Sequence, residues 1–323
     1  MAVVQTVRGP IDASELGRVL MHEHVFILSP EIQQNYPEEW GDEDDRITDA
    51  VDRLTALKVS GIDTILDPTA LGLGRYIPRI QQIAERIELN IVAATGLYTF
   101  DVIPHYFHNR PIGTGTNGGD PMVDMFVRDI TEGIADTGVR AGVIKCATDR
   151  PGVTPDVERV LRASARAHRE TGCPITTHTH ARSERGLEQQ AIFAEEGVDL
   201  TQVVIGHSGD TDDFDYLQKL IDNGSYLGMD RFGIDGFLTT EQRVDVIARL
   251  CERGYADRMV LSHDASCYLD WYPGEEPFPA LTNWHYLHIS NDVIPALLAA
   301  GVTQTQVDTM LIDNPRRFLT SGQ

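Results

Sequence analysis

The sequence predicts a (β/α)8 barrel, a TIM-type α/β fold whose working groups gather at one end. Three observations carry the prediction. Eight short apolar runs of β type recur along the chain, amphipathic helical segments separate them, and nearly every run ends in a polar or ionisable residue. Buried strands that alternate with helices pair in parallel through right-handed crossovers, and eight such units close on themselves.

The chain opens with two short runs, Val3 to Val7 and a second after Gly9-Pro10, which read as a small hairpin that plugs the barrel floor. The eight strands follow as Val19 to Val25, Ile62 to Asp67, Ile91 to Gly96, Ala141 to Ala147, Pro174 to His178, Val203 to His207, Tyr226 to Asp230 and Met259 to Asp264. Between them, Thr48 to Ser60, Pro155 to Thr171, Glu184 to Glu196 and Thr240 to Arg253 repeat apolar residues at three and four positions, the period of a half-buried helix. Gly61, Gly172, Gly197 and Gly224 each stand between a helical stretch and a strand, where a left-handed cap is wanted. With 323 residues and no low-complexity tract or Pro/Ser-rich linker, the chain reads as one domain over 1–323.

Apolar residues make up 41 % of the chain, enough to bury a large core, and the formal net charge is −22. That charge repels phosphate backbones and anionic lipid, which argues against nucleic-acid and membrane partners. No run of about 18 apolar residues is present, and Met1 to Pro10 lack the basic start and apolar stretch of a signal peptide, so a cytoplasmic location is expected. Cys146, Cys173, Cys251 and Cys267 are scattered without CxxC pairing and read as reduced, buried thiols.

The strand ends carry the chemistry. His22 and His24, Asp67, Lys145, His178, His207, Asp230 and Asp264 occupy the same relative place in their runs, and in such barrels these ends converge on one pocket. The His22-x-His24 spacing turns both imidazoles to one side of a strand. Four imidazoles with a carboxylate suit a borderline divalent metal. Lys145 ends an apolar run, where an ammonium is costly unless paired. Composition leaves two readings open: a buried salt bridge to Asp230 or Asp264, or an amine of depressed pKa that takes up carbon dioxide as a metal-bridging carbamate.

The motifs His22-Glu-His24, Gly142-Val-Ile-Lys145, Thr-Thr-His178-Thr, Ile-Gly-His207-Ser and Ser-His-Asp264 together resemble the phosphotriesterase family of the amidohydrolase superfamily, across essentially the whole chain. The resemblance implies two divalent metal ions, zinc foremost with cobalt, manganese or iron as alternatives, bridged by carbon dioxide bound as a carbamate on Lys145. It places His22, His24 and Asp264 on the more buried ion and His178 and His207 on the more exposed one. Asp264 is implied as the group that accepts and relays a proton. Tyr98, in Thr-Gly-Leu-Tyr98, and Arg231, following Asp230, match the lactonase branch, as does the short stretch Arg231 to Leu238. Core packing for Tyr98 and a surface ion pair for Arg231 are the plain alternatives.

The activity so implied is the opening of lactone rings, N-acyl-homoserine lactones foremost and hence quorum quenching, with incidental phosphotriesterase activity. A primary phosphotriesterase or other esterase is the alternative, and the complete ligand set argues against a non-catalytic metabolite binder. The family resemblance also implies a homodimer. The stretch Ala265 to His288 holds Tyr268, Trp271, Tyr272, Phe278, Trp284 and Tyr286, and is expected to cover an acyl tail, or else to form a packed lid or dimer contact. His180, His263, His285 and His288 are set aside as supporting or surface residues. Asp67 is expected to hydrogen-bond a ligand histidine.

Overall fold

The computed structural model describes residues 2–271 and 281–322. Eight parallel strands form one sheet in strict chain order: β1 (Val19–Leu20), β2 (Thr64–Asp67), β3 (Asn90–Gly96), β4 (Val143–Ala147), β5 (Ile175–His178), β6 (Val203–Ile205), β7 (Tyr226–Met229) and β8 (Met259–Leu261). Every residue of β2, β4 and β7 is buried, which is why these strands read as unbroken apolar runs.

Several strands stop short of the bounds expected from sequence. β1 ends at Leu20 and not Val25, β6 at Ile205, β7 at Met229 and β8 at Leu261. Beyond β6 and β8 the backbone leaves the ladder sharply: His207 and Asp264 adopt left-handed conformations, with φ of 59° and 58°. Such angles are sparsely allowed for residues with a Cβ and end strand pairing.

Among the described residues, no ladder joins β8 to β1. The barrel is closed there by single bonds, from the Met21 amide to the Leu261 carbonyl (3.2 Å), Asp264 to His22 (3.0 Å) and His24 to Ala265 (2.9 Å). A short parallel pair, Phe26–Ile27 with Tyr268–Leu269, extends the seam. At the opposite end Val3–Thr6 pairs antiparallel with Gly9–Asp12, and Val4 packs among Leu66, Val92, Val143 and Val260 of the interior, so the hairpin does plug the floor.

The helices Pro155–Thr171, Arg185–Glu195 and Thr240–Glu252 lie where the periodicity puts them. The first long helix starts at Glu43, well before Thr48. Asp42 caps it by accepting from the amides of Asp44 and Asp45 (2.9 and 3.1 Å), and its acidic first turn complements the helix dipole. That turn has no apolar period to read. Gly61, Gly172, Gly197 and Gly224 all take positive φ, as the cap reading requires. All four cysteines are buried and free. Among the described residues, no helix is long and apolar enough to cross a membrane.

Both limbs of the aromatic stretch after β8 are anchored. On the outgoing limb the Tyr268 hydroxyl donates to the Glu39 carbonyl (2.8 Å), and its ring meets Trp40 edge-on at 5.0 Å. On the returning limb the Trp284 indole donates to the His263 carbonyl (2.9 Å) and the Tyr286 hydroxyl to the His24 carbonyl (2.5 Å). Tyr272 and Phe278 lie outside the described residues.

Candidate metal centre

The six ligand candidates meet at the C-terminal mouth of the barrel. His22 and His24 follow β1, both buried, and each Nε2 lies 3.4 Å from Asp264 Oδ1. Lys145 Nζ lies 2.9 Å from His22 Nε2 and donates to the Thr177 carbonyl at 3.3 Å. Its neighbour in register is Gly96, where a Cβ would stand 1.9 Å from the Lys145 carbonyl oxygen, so only glycine lets β3 approach this closely. His207 Nε2 lies 2.9 Å from His178 Nδ1. The contacts of Lys145 are thus an imidazole and a carbonyl, not the carboxylate of a simple salt bridge.

Each histidine is braced on its outer nitrogen. Asp230 holds two at once, its Oδ2 3.1 Å from His22 Nδ1 and its Oδ1 2.9 Å from His207 Nδ1. It also accepts the His207 amide (2.8 Å), which helps hold that residue's left-handed backbone. Asp149 Oδ2 lies 2.5 Å from His178 Nε2, and Thr69 Oγ1 lies 2.7 Å from His24 Nδ1. Protons on the outer nitrogens leave four lone pairs facing inward, the tautomers a metal requires. The expectation for Asp67 is corrected in part. Its Oδ1 accepts from Thr69 Oγ1 at 2.5 Å but lies 3.6 Å from His24 Nδ1, so it steadies His24 through the threonine.

The electrostatics agree. Burial draws His22 and His207 below the ordinary imidazole range and His178 to about 4. Burial also lowers His24, but the Asp264 and Asp67 carboxylates outweigh it and leave that ring raised. Burial brings Lys145 down to about 8 in spite of Asp264 and Asp230 nearby. Asp264 is raised by burial, yet His207, His22, His24 and Arg231 around it hold it well below the carboxylate range. Mostly neutral imidazoles beside an ionised carboxylate form a donor set that fits a divalent ion. His22, His24 and Asp264 alone could hold one. Asp230 also lies within reach of His22 and His207, but on their outer nitrogens, which marks it as a brace. Removing that double brace in Asp230→Ala is expected to weaken metal affinity by about 10–100-fold, measured by competition with a chelating dye. Unchanged affinity would contradict the bracing role.

Arg231 is drawn into the site, and its ion pairs are not the surface pair of the plain alternative. Its Nε donates to Asp264 Oδ2 (2.9 Å) and its Nη1 to Asp210 Oδ2 (3.0 Å), so it lines the cavity as a partly buried clamp. The Tyr98 hydroxyl lies 3.4 Å from His178 Nδ1, and the Tyr98 ring stacks on Trp271 with centroids 6.1 Å apart. Above the ligand candidates opens a cavity of about 170 Å³ whose walls include Ile27, Leu73, Ile234, Phe237, Leu269 and Trp284.

The histidines set aside stay outside the cluster: His180 contacts Ser183, His288 contacts Thr240 and Asp292, the His285 ring lies 6.0 Å from that of His288, and His263 is buried against Glu23. Glu23 was not singled out from sequence. It accepts from Ser262 Oγ (2.9 Å), the His263 amide (2.8 Å), His263 Nδ1 (2.7 Å) and the Ala265 amide (3.1 Å), pinning the turn that carries Asp264. Its one sequence signal is its place between two ligands. Asp149, just beyond β4, could have been found as one more acid past a strand end.

A barrel whose strand ends gather braced histidines, an aspartate and a buried lysine around one cavity defines a metal-dependent hydrolase. The chain matches the phosphotriesterase family over residues 2–319 and belongs to it. It is 62 % identical over 318 residues to a phosphotriesterase homology protein of Mycobacterium tuberculosis, covering 98 % of each chain. It is 40 % identical over 312 residues to an aryldialkylphosphatase of Saccharolobus solfataricus, covering 96 % of this chain and 97 % of that one. A solved structure of the phosphotriesterase from Mycobacterium tuberculosis superposes with a TM-score of 0.96 at 62 % identity, again over 98 % of each chain. The family works with a binuclear metal centre.

Proposed function

We propose that the protein opens lactone rings, N-acyl-homoserine lactones foremost, and turns over phosphotriesters incidentally. The observation that carries the reading is the two-part cavity: a floor of metal-ligating groups under apolar walls, with Tyr98 and Arg231 at the junction. A lactone ring would sit on the floor while its acyl tail buries against the walls. We further propose His22, His24, Lys145, His178, His207 and Asp264 as the ligands of two divalent ions. Lys145 would serve after its neutral Nζ adds to carbon dioxide and loses a proton, giving a carbamate anion.

Ions held there supply Lewis acidity and lower the pKa of water toward about 7. Asp264 Oδ2, the oxygen turned toward Arg231, would take the proton of the attacking water and return it to the leaving alkoxide. Arg231, whose Nε donates to that oxygen at 2.9 Å, keeps the carboxylate aimed. The Tyr98 hydroxyl would donate to the substrate oxygen on which charge develops, a contact whose loss costs about 10²–10³ in kcat.

A primary phosphotriesterase is the second reading, favoured by the likeness to an aryldialkylphosphatase. The test compares kcat/KM of the metal-reconstituted protein on a long-chain acyl-homoserine lactone and an aryl dialkyl phosphotriester. A lactone preference of a hundredfold or more is expected, and the reverse preference would overturn the proposal. Tyr98→Phe and Arg231→Ala are expected to cut the lactone rate much more than the phosphotriester rate. Equal losses would remove both residues from lactone recognition.

A further inference from the structure

The first turn of the helix Thr240–Glu252 carries an arginine that is only 1 % exposed, among the largest fully buried side chains of the protein. A guanidinium so placed requires partners, and Arg243 has four. Its Nη2 donates to Asp210 Oδ1 (2.8 Å) and to the Ile234 carbonyl (3.3 Å), its Nη1 to the Gly209 carbonyl (2.5 Å) and its Nε to the Leu238 carbonyl (3.1 Å). Asp210 is thereby shared. One oxygen serves Arg243 and the other serves Arg231, whose Nε binds Asp264. Four alternating charges run from the helix to the reaction centre: Arg243, Asp210, Arg231, Asp264. The contacts to the Ile234 and Leu238 carbonyls grip both ends of the 234–238 loop, whose Ile234 and Phe237 form part of the cavity wall.

We propose that Arg243 is a positioning residue for hydrolysis. Through Asp210 it orients the Arg231 guanidinium against Asp264, and through the Ile234 and Leu238 carbonyls it sets the wall against which the substrate packs. Only a planar fork of five donors meets four acceptors in these directions. A lysine would keep the charge but hold one or two of them at best. The proposal rests on the hydrolase reading given above and adds to it a residue that touches neither metal ligand nor substrate.

The test is a double-mutant cycle of Arg243→Lys and Arg231→Ala in the metal-reconstituted protein, with metal content and melting temperature recorded for each variant. Arg243→Lys is expected to keep its metal and its fold while kcat falls by about 10–100-fold, the loss that misplacement of a catalytic group by about an ångström brings. Because its effect on kcat runs through Arg231, the double variant should have a kcat little below that of Arg231→Ala alone, while the loosened wall shows in KM. Multiplying losses would overturn the proposal. The second measurement is hydrogen exchange, which needs no substrate. Arg243→Lys should speed exchange at 209–210 and 231–238 and leave other segments unchanged, and unaltered exchange there would also overturn it. Asp210→Asn provides an independent variant that weakens the same link from its other side and should reproduce both effects. Should the unaltered protein hydrolyse neither substrate, the proposed function falls and the exchange comparison alone decides the role of Arg243.

Discussion

Lys145→Ala is expected to lose metal and hydrolytic activity together. Lys145 stands beside His22 at the centre of the ligand cluster, buried, and with its pKa drawn down to about 8. About a tenth of such amines are neutral at pH 7, enough for carbon dioxide to trap the rest by mass action. The carbamate would give the site an anion between its two halves, and alanine supplies neither charge nor donor. The loss of affinity should exceed the roughly hundredfold upper range for residues that merely brace a ligand. Metal analysis and kcat/KM on one preparation check it. A variant that keeps two ions per chain and its activity would remove Lys145 from the centre. Reconstitution of the unaltered apoprotein should also slow in buffer freed of carbon dioxide, and an unchanged rate there would speak against the carbamate alone.

Glu23→Ala is expected to produce the largest loss of stability. The side chain is wholly buried and accepts four hydrogen bonds from Ser262, His263 and Ala265. Ser262 Oγ also accepts the His22 amide (2.8 Å), so the same cluster ties β8 to the chain after β1. Beyond it, among the described residues, only the short pair Phe26–Ile27 with Tyr268–Leu269 forms a ladder across that seam. Removing one member of a buried network leaves its partners unpaired, at about 3–5 kcal/mol. For a protein of this size that is a fall in melting temperature on the order of 10 °C. A smaller loss of metal affinity should follow, because Asp264 sits inside the pinned turn. Calorimetry of the metal-free protein isolates the first effect, and a shift under about 2 °C would contradict it.

Strand order and the ligand candidates were legible because each buried parallel strand is a continuous apolar run, and a polar residue at its end has one face of the barrel to occupy. The ends themselves were not. Burial continues through Val25, while ladder pairing stops at Leu20 and the chain turns to aim His22 and His24. The braces were harder still. Thr69 and Asp210 reach their partners across neighbouring loops, a relation with no period or spacing in sequence. Arg243 sits on the buried face of an amphipathic helix, where periodicity alone expects an apolar side chain.

The separate anchoring of the two limbs that follow β8 bears on how this scaffold can diversify. Tyr268 ties one limb to Glu39, while Trp284 and Tyr286 tie the other to backbone beside the ligands. Neither attachment depends on the number of residues joining them. The two limbs can therefore change in sequence independently of one another, and substrate range can drift while the catalytic chemistry is inherited intact.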